Sequence, residues 1–193
     1  VTLRELMEAG PLETRRALSI VRQVLEALDH VHALGVIHRD LKPENVMLVD
    51  GGSPTDDEDY VKLLDFGVAK LASDTAAVLA EMKLTKTGFE TFGTALYMAP
   101  EVALGRTIDA RSDLYSVGAI LFEMLAGRPL FEDEDVAVVM RQHASKRPST
   151  LSEAAPDRTA TPELELLVSE ALAKQPDHRF KTAREMIHAL EAA

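Results

Sequence analysis

The chain has 193 residues, of which 46% are hydrophobic and 5% aromatic, and its formal net charge is -11. This length fits one domain with a sizeable core. The scarcity of aromatic residues and the absence of Trp favour helices packed through Leu, Val, Ala and Met. The negative charge argues against nucleic acid as a partner, and the absence of Cys excludes disulfides, thiol nucleophiles and Cys-ligated zinc.

Hydrophobic periodicity predicts most of the chain to be helical. A short helix is predicted at residues 2–8, and a long helix at residues 14–34, which Gly35 ends. Later helices are predicted at residues 112–126, 133–143, 162–173 and 182–192. We therefore expect an α+β fold that is predominantly α-helical.

Three short strands are predicted between the long helix and residue 65, at residues 36–37, 46–49 and 61–64. Turn residues at 50–54 separate the last two strands and predict a hairpin. The acidic run at residues 55–59 is either a docking patch for a basic partner or a solvated turn.

Three motifs follow one another along the chain. Residues 38–45 read His-Arg-Asp-Leu-Lys-Pro-Glu-Asn, residues 65–67 read Asp-Phe-Gly, and residues 99–101 read Ala-Pro-Glu. Each triplet alone is a weak signal, but the three in this order form a specific signature. Carboxylates, an amide and a lysine in this pattern are what phosphoryl transfer requires, because the enzyme must position two oxygens and neutralise charge.

These motifs resemble those of Hanks-type (eukaryotic-like) serine/threonine protein kinases. The sequences of residues 92–101 and 109–116 resemble those of bacterial members. The resemblance implies the C-terminal lobe of a kinase domain over residues 1–193, with short β-hairpins at the active-site cleft. Its parts would be a catalytic loop at 36–49, an activation segment at 65–101 and a helical subdomain at 102–193. The implied reaction transfers the γ-phosphoryl group of ATP to Ser or Thr hydroxyls of proteins.

The resemblance also assigns roles to individual residues of the cleft. Asp40 would accept the proton of the substrate hydroxyl, and Lys42 would lie against the γ-phosphate and mark Ser/Thr rather than Tyr specificity. Asn45 and Asp65 would hold Mg²⁺ or Mn²⁺ through hard oxygen ligands. Met47 would lie beneath the adenine ring, although an ordinary core position is the alternative.

Regulatory and structural roles are implied elsewhere. Arg39 would pair with a phosphate on the activation segment. Candidate acceptors are Thr85, Thr87 and Thr91, with plain loop threonines as the alternative, whereas Thr94 would bond to the catalytic Asp and Lys. Structural roles are implied for His38, Phe66, Gly67, the Glu101–Arg179 pair and Asp113, which would anchor the backbone of the catalytic loop.

The N-terminal lobe of such a kinase has no counterpart upstream of Asp40, since neither a Gly-rich loop nor a Val-Ala-Ile-Lys strand occurs there. We therefore expect a piece of a longer parent, and weak nucleotide binding with negligible turnover for the piece alone. Its expected partners are the missing lobe of the same parent and Ser/Thr-containing proteins. Apolar surface exposed where that lobe would dock predicts self-association, including dimerisation.

The sequence shows no signal peptide, because it has no basic n-region followed by an apolar stretch. Its apolar runs are also far shorter than the ~20 residues of a membrane-spanning helix. A cytoplasmic location is therefore expected, with any membrane tether of the parent outside this segment. The main alternative function is a pseudokinase or truncated lobe that acts as a binding scaffold. Intact Asp40, Asn45 and Asp65 argue against it, and the Ala-Pro-Glu motif argues against a small-molecule phosphotransferase.

Overall fold

The computed structural model describes residues 1–50, 59–65 and 93–193. These ranges contain mostly helix, which confirms the predicted helical α+β fold. The helices are α1 (Leu3–Met7), α2 (Thr14–Ala33), α3 (Pro100–Ala103), α4 (Arg111–Ala126), α5 (Val136–Ser145), α6 (Leu151–Ala154), α7 (Pro162–Ala171) and α8 (Ala183–Leu190). The strands β1 (Val46–Asp50) and β2 (Asp59–Leu63) form an antiparallel hairpin, and 3₁₀ turns span Pro43–Asn45 and Pro176–His178.

Hydroxyl side chains define where several helices begin. Thr2 caps α1 in a capping box with Glu5, and Thr161 and Thr182 accept hydrogen bonds from the first turns of α7 and α8. These caps have extended backbones and lie just outside the helices. Helices α1 and α8 for this reason begin one residue later than the sequence pattern predicts.

The prediction of a strand at residues 36–37 is wrong. At the end of α2, Gly35 has φ 74° and its N–H donates to the carbonyl of His32, while the N–H of Val36 donates to the carbonyl of Val31. This is the Schellman arrangement, in which the residues after a helix satisfy its last carbonyls. Val36 thus completes the cap of α2, and residues 36–37 have no strand partner among the described residues.

Helix α4 lies at the centre of the helical body. Every residue from 112 to 125 is buried, because α2, α6 and α7 all pack against this helix. Gly118 permits the approach of α7, since a Cβ atom at this position would lie 2.8 Å from the Cβ of Ala171. A helix buried on all sides needs an apolar surface all round, and α4 departs from that rule mainly at Asp113 and Glu123.

The hairpin lies at one end of the helical body, with Val46 opposite Leu63 and Asp50 opposite Asp59. The first two residues of the chain cover the outer edge of β1: the N–H of Leu48 donates to the carbonyl of Val1, and Thr2 pairs with Met47. No helix among the described residues is both long enough and apolar enough to span a lipid bilayer.

A buried ion pair joins α3 to the end of the helical body. The guanidinium of Arg179 donates to both carboxylate oxygens of Glu101 at 2.8 and 2.7 Å, and its remaining N–H groups reach three backbone carbonyls. Ser112 adds a hydroxyl donor to Glu101 at 2.6 Å. Burial would raise the pKa of Glu101, but the donors from Arg179 and Ser112 outweigh it and hold the pKa below its ordinary value.

A second buried polar group lies between α4 and α5. His143 is fully buried, its Nδ1 is 2.8 Å from the hydroxyl of Tyr115, and its ring packs edge-on against Phe131. Lys174 donates to the carbonyl of His143 at 2.8 Å and brings a positive charge to the cluster. Burial and the charge of Lys174 lower the pKa of His143 to about 3, so the imidazole is neutral.

Removing one partner of the Glu101–Arg179 pair is expected to destabilise the fold strongly. Glu101→Ala leaves a guanidinium that is 0% exposed without its carboxylate, and such a loss costs about 3 to 5 kcal/mol. The free energy of unfolding from urea titration measures this loss. Asp29→Ala, which breaks the exposed pair with Arg184, is the matched control and should cost less than about 1 kcal/mol. Equal losses in the two variants would contradict the role of the buried pair.

The neutral imidazole of His143 is expected to make stability depend on pH. The unfolded chain binds a proton at His143 below its ordinary pKa of 6.5, whereas the folded chain resists protonation down to about 3. The folded state therefore loses stability as pH falls from 6.5 towards 3, by about 2 kcal/mol between pH 7 and pH 5.

Urea titrations of wild type and His143→Gln at these two pH values measure this contribution. The variant should lose about 2 kcal/mol less than wild type over this range. The exposed His188 provides the control variant His188→Gln, which should keep the wild-type dependence. An unchanged pH dependence in His143→Gln would contradict the account.

Candidate active site

The carboxylate of Asp113 organises the segment that carries the first motif. It lies in the first turn of α4, is almost fully buried, and accepts the backbone N–H groups of His38 at 2.8 Å and Arg39 at 3.0 Å. The Nε2 of His32, at the end of α2, lies 2.8 Å from the same carboxylate. One buried carboxylate thus joins two helices and the backbone just before Asp40.

The backbone at Arg39 needs such support. Its φ is 64°, in the left-handed region that costs a residue with a Cβ roughly 1 kcal/mol. The hydrogen bond from its N–H to Asp113 holds this conformation. The resulting turn sends the chain from buried His38 to the half-buried Asp40.

Asp40, Lys42 and Thr94 form one cluster. The Thr94 hydroxyl donates to Oδ1 of Asp40 at 3.2 Å and accepts from Nζ of Lys42 at 3.2 Å. Nζ of Lys42 lies 3.8 Å from Oδ2 of Asp40. The side chain of Asp40 is 21% exposed and that of Lys42 is 16% exposed, so solvent and a substrate can reach both. The carboxyl group of Asp40 and the ammonium group of Lys42 therefore lie side by side, linked by the hydroxyl of Thr94.

Asn45 ties the strand before Asp65 to the same loop. Its side-chain amide donates to the carbonyl of Asp40 at 2.8 Å, and its own carbonyl accepts the N–H of Leu64 at 2.9 Å. The Nε2 of His38 donates to the carbonyl of Leu64 at 3.0 Å. Asp65 follows directly and is exposed, with φ 51°, a conformation that Asp tolerates better than most residues.

The amide oxygen of Asn45 and the carboxylate of Asp65 suit a hard divalent cation. The donor from Asn45 to Asp40 uses the amide nitrogen, so the amide oxygen is the atom available to a metal. The described residues contain no group of three or more His, Asp or Glu side chains that could hold a metal by themselves. This donor set fits Mg²⁺, which takes few protein ligands and completes its shell with phosphate and water.

The remaining predicted residues divide into two sets. Met47 lies half-buried on β1, its backbone pairs with Thr2 and Lys62, and its contact with adenine stays a prediction. The phosphate-binding role of Arg39 also stays a prediction. The residues that lie outside the described ranges are Phe66, Gly67, Thr85, Thr87 and Thr91, together with most of the acidic run at 55–59.

Sequence reasoning missed a polar cluster beside the loop at residues 38–45. Arg4 on α1 donates to Glu44 at 3.1 Å, to Glu123 at 2.9 Å and to the hydroxyl of Tyr97. The hydroxyl of Tyr97 in turn donates to Glu123 at 2.5 Å. Burial and the nearby charge of Glu123 raise the pKa of Tyr97, so the phenol keeps its proton. This cluster links α1, the loop at 38–45 and the segment before α3.

One sequence signal pointed to this cluster, and none pointed to His32. Glu123 interrupts the apolar run of residues 117–126, and a charge inside a helix buried on all sides requires a partner. The position of Arg4 on a short amphipathic helix gave no such sign. His32 sits on the long helix at a position that the periodicity does not distinguish from the surface.

Three comparisons with known proteins agree with this geometry. The family described as "Protein kinase domain" matches residues 2–190. The serine/threonine-protein kinase PknB of Mycolicibacterium smegmatis is 41% identical over 187 residues, which cover 96% of this chain and 28% of PknB. The serine/threonine-protein kinase pkn3 of Myxococcus xanthus is 42% identical over 188 residues, which cover 97% of this chain and 33% of pkn3.

Solved structures show the same fold. The kinase domain of PknI from Mycobacterium tuberculosis matches with a TM-score of 0.69 and 27% identity, over 100% of this chain and 62% of that chain. The chain spans only about a third or less of the length of the curated relatives that it matches. The family match and the two relatives place the chain, over nearly all of its length, in the protein kinase domain family.

Proposed function

We propose that the chain is the large, catalytic lobe of a serine/threonine protein kinase that transfers the γ-phosphoryl group of ATP to protein hydroxyls. The observation that carries the proposal is the Asp40–Lys42–Thr94 cluster, together with the amide of Asn45 bonded to the backbone of Asp40. Asp40, Lys42 and Asn45 would supply a base, a cation and a metal ligand from one short loop, and Thr94 bonds to the first two. The relatives named serine/threonine-protein kinases support the same reading.

Asp40 is the proposed base. Its carboxylate would orient the substrate hydroxyl and receive its proton as the bond to phosphorus forms. Thr94 holds one oxygen of this carboxylate by a hydrogen bond of 3.2 Å, which limits rotation of the side chain. Because Asp113 fixes the backbone at residues 38 and 39, the carboxylate starts from a defined position.

Lys42, Asn45 and Asp65 are the proposed phosphate and metal residues. The ammonium of Lys42 would lie against the transferred phosphoryl group as it leaves ADP, while Asn45 and Asp65 would hold Mg²⁺. A bound Mg²⁺ would offset the charge of the phosphate oxygens. Lys42 already contacts Thr94 and Asp40, so its charge is held near the proposed base.

A small lobe is proposed as a necessary addition. The 193 residues contain neither a Gly-rich loop nor a Val-Ala-Ile-Lys strand, which in this family cover the phosphates of ATP. We propose that the same polypeptide provides that lobe and that residues 1–193 alone bind ATP weakly. Activation by phosphate on Thr85, Thr87 or Thr91, with Arg39 as its partner, is proposed on the same resemblance.

Asp40→Asn is expected to lower phosphoryl transfer by about a thousandfold, because an amide cannot accept the hydroxyl proton. The rate of ³²P transfer from Mg·ATP to casein measures this loss, in the polypeptide that carries both lobes and in the 193-residue chain. Phosphoamino-acid analysis of the product should show phosphoserine and phosphothreonine without phosphotyrosine. The 193-residue chain alone should give little transfer.

The matched control is Asp29→Asn, which changes an Asp on α2 that pairs with Arg184 far along the chain. This variant should keep wild-type transfer. Transfer that survives Asp40→Asn would contradict the assignment of the base. Nucleotide binding without any transfer in the two-lobe polypeptide would favour a binding scaffold.

A further inference from the structure

The outer edge of β2 is bound by a side chain of α2 in place of a third strand. In an antiparallel hairpin alternate residues of each strand direct their N–H and C=O groups away from the partner strand. On β2 the outward groups include the carbonyl of Asp59 and the N–H of Val61. The described part of the chain contains no strand beside this edge, so other groups must satisfy it.

The carboxamide of Gln23 satisfies both groups at once. Its Nε2 donates to the carbonyl of Asp59 at 2.7 Å, and its Oε1 accepts the N–H of Val61 at 3.1 Å. A carboxamide carries one donor side and one acceptor side, as a peptide group does, so it can pair with a strand edge as a neighbouring strand would. Gln23 is half-buried at the junction of α2 and β2.

Arg16 holds the same strand by its side chain. Its guanidinium binds both carboxylate oxygens of Asp59, at 2.7 and 3.0 Å. Arg16 and Gln23 are seven residues apart on α2 and therefore share one face of the helix. The two side chains bind the strand at its beginning, one through the backbone of Asp59 and the other through its carboxylate.

The strand held in this way leads directly to Asp65. Leu64 follows β2, and its N–H and C=O bind Asn45 and His38 of the catalytic loop. The inner edge of the strand is thus fixed by β1 and the loop, and the outer edge by α2. A two-stranded hairpin is marginally stable by itself, so the position of Asp65 depends on both sides.

We propose that Gln23, assisted by Arg16, is a positioning residue for the metal-binding carboxylate of Asp65. It acts by completing the hydrogen bonds of β2 and so fixing the strand that delivers Asp65 beside Asn45. The inference rests on the proposed function, in which Asp65 holds Mg²⁺. Gln23 and Arg16 of α2 would thus raise the affinity for the metal indirectly, through the position of Asp65.

The test compares ADP affinity with Mg²⁺ and with EDTA, measured by isothermal titration calorimetry on the polypeptide that carries both lobes. The ratio of the two affinities reports the contribution of the metal. Gln23→Met keeps the length of the side chain and loses both hydrogen bonds, and should lower this ratio about tenfold, as loss of groups that orient metal ligands does. Affinity in EDTA should stay at the wild-type value, whereas general damage to the fold would lower both affinities.

Three further variants sharpen the test. Gln23→Glu keeps the acceptor for Val61 but places a carboxylate oxygen against the carbonyl of Asp59, which repels it, so its ratio should fall at least as far as that of Gln23→Met. Arg16→Met, at an exposed position, should lower the ratio by a smaller factor and covers the case in which Gln23→Met does not fold. Arg22→Met is the control, since Arg22 lies on the same helix and pairs with exposed Glu26.

A double-mutant cycle shows whether Gln23 acts through Asp65. In an Asp65→Asn background, Gln23→Met should change the ratio no further, because the group that it positions is gone. Equal factors in the two backgrounds would overturn the inference. The inference would also be overturned if Gln23→Met and Arg16→Met left the ratio unchanged while Asp65→Asn removed the Mg²⁺ effect. In that case the proposed function would still stand. If Asp65→Asn itself leaves the ratio unchanged, the proposed metal site fails together with this inference.

Discussion

The carboxylate of Asp113 is the group on which the rest of the structure depends. It is almost fully buried, yet it keeps its charge satisfied with two backbone N–H groups and the ring nitrogen of His32. Its position in the first turn of α4 is favourable to a negative charge, because the N-terminal end of a helix carries partial positive charge. The backbone just before Asp40 and Lys42 is thus hydrogen-bonded to α4, the central buried helix.

Three consecutive residues at the start of α4 hold three different parts of the molecule. The carbonyl of Arg111 accepts from Arg179, the hydroxyl of Ser112 donates to Glu101, and the carboxylate of Asp113 holds the loop at residues 38–45. The C-terminal 3₁₀ turn, α3 and the loop at 38–45 therefore meet at one helical turn. A rigid central helix gives the proposed base and the segment before α3 a common frame.

Much of the fold could be predicted from the sequence, because the long helices combine clear periodicity with capping residues. The errors occurred where a few residues decide the structure locally. Residues 36–37 have strand-forming side chains, but Gly35 turns the backbone so that Val36 caps α2. The helices at Pro100–Ala103 and Leu151–Ala154 are too short to show a helical period.

The candidate site was predicted through a motif, and the structure adds the contacts that a motif cannot contain. The resemblance implied the bond of Asp113 to the loop, but His32, which shares that carboxylate, gave no sequence signal. Arg4 and Glu123 are 119 residues apart, and Gln23 lies 38 residues from Val61. Such partners are chosen by tertiary packing, so sequence spacing alone does not reveal them.

The central claim is that Asp113 fixes the backbone just before Asp40, the proposed base. Residue-resolved hydrogen exchange of wild type and Asp113→Asn tests it most directly, because Asn offers only one acceptor oxygen to the N–H groups of His38 and Arg39. The account predicts that protection at one or both of these amides falls while the amides of α2 and α7 stay protected. Unchanged protection at both His38 and Arg39 in the variant would contradict it.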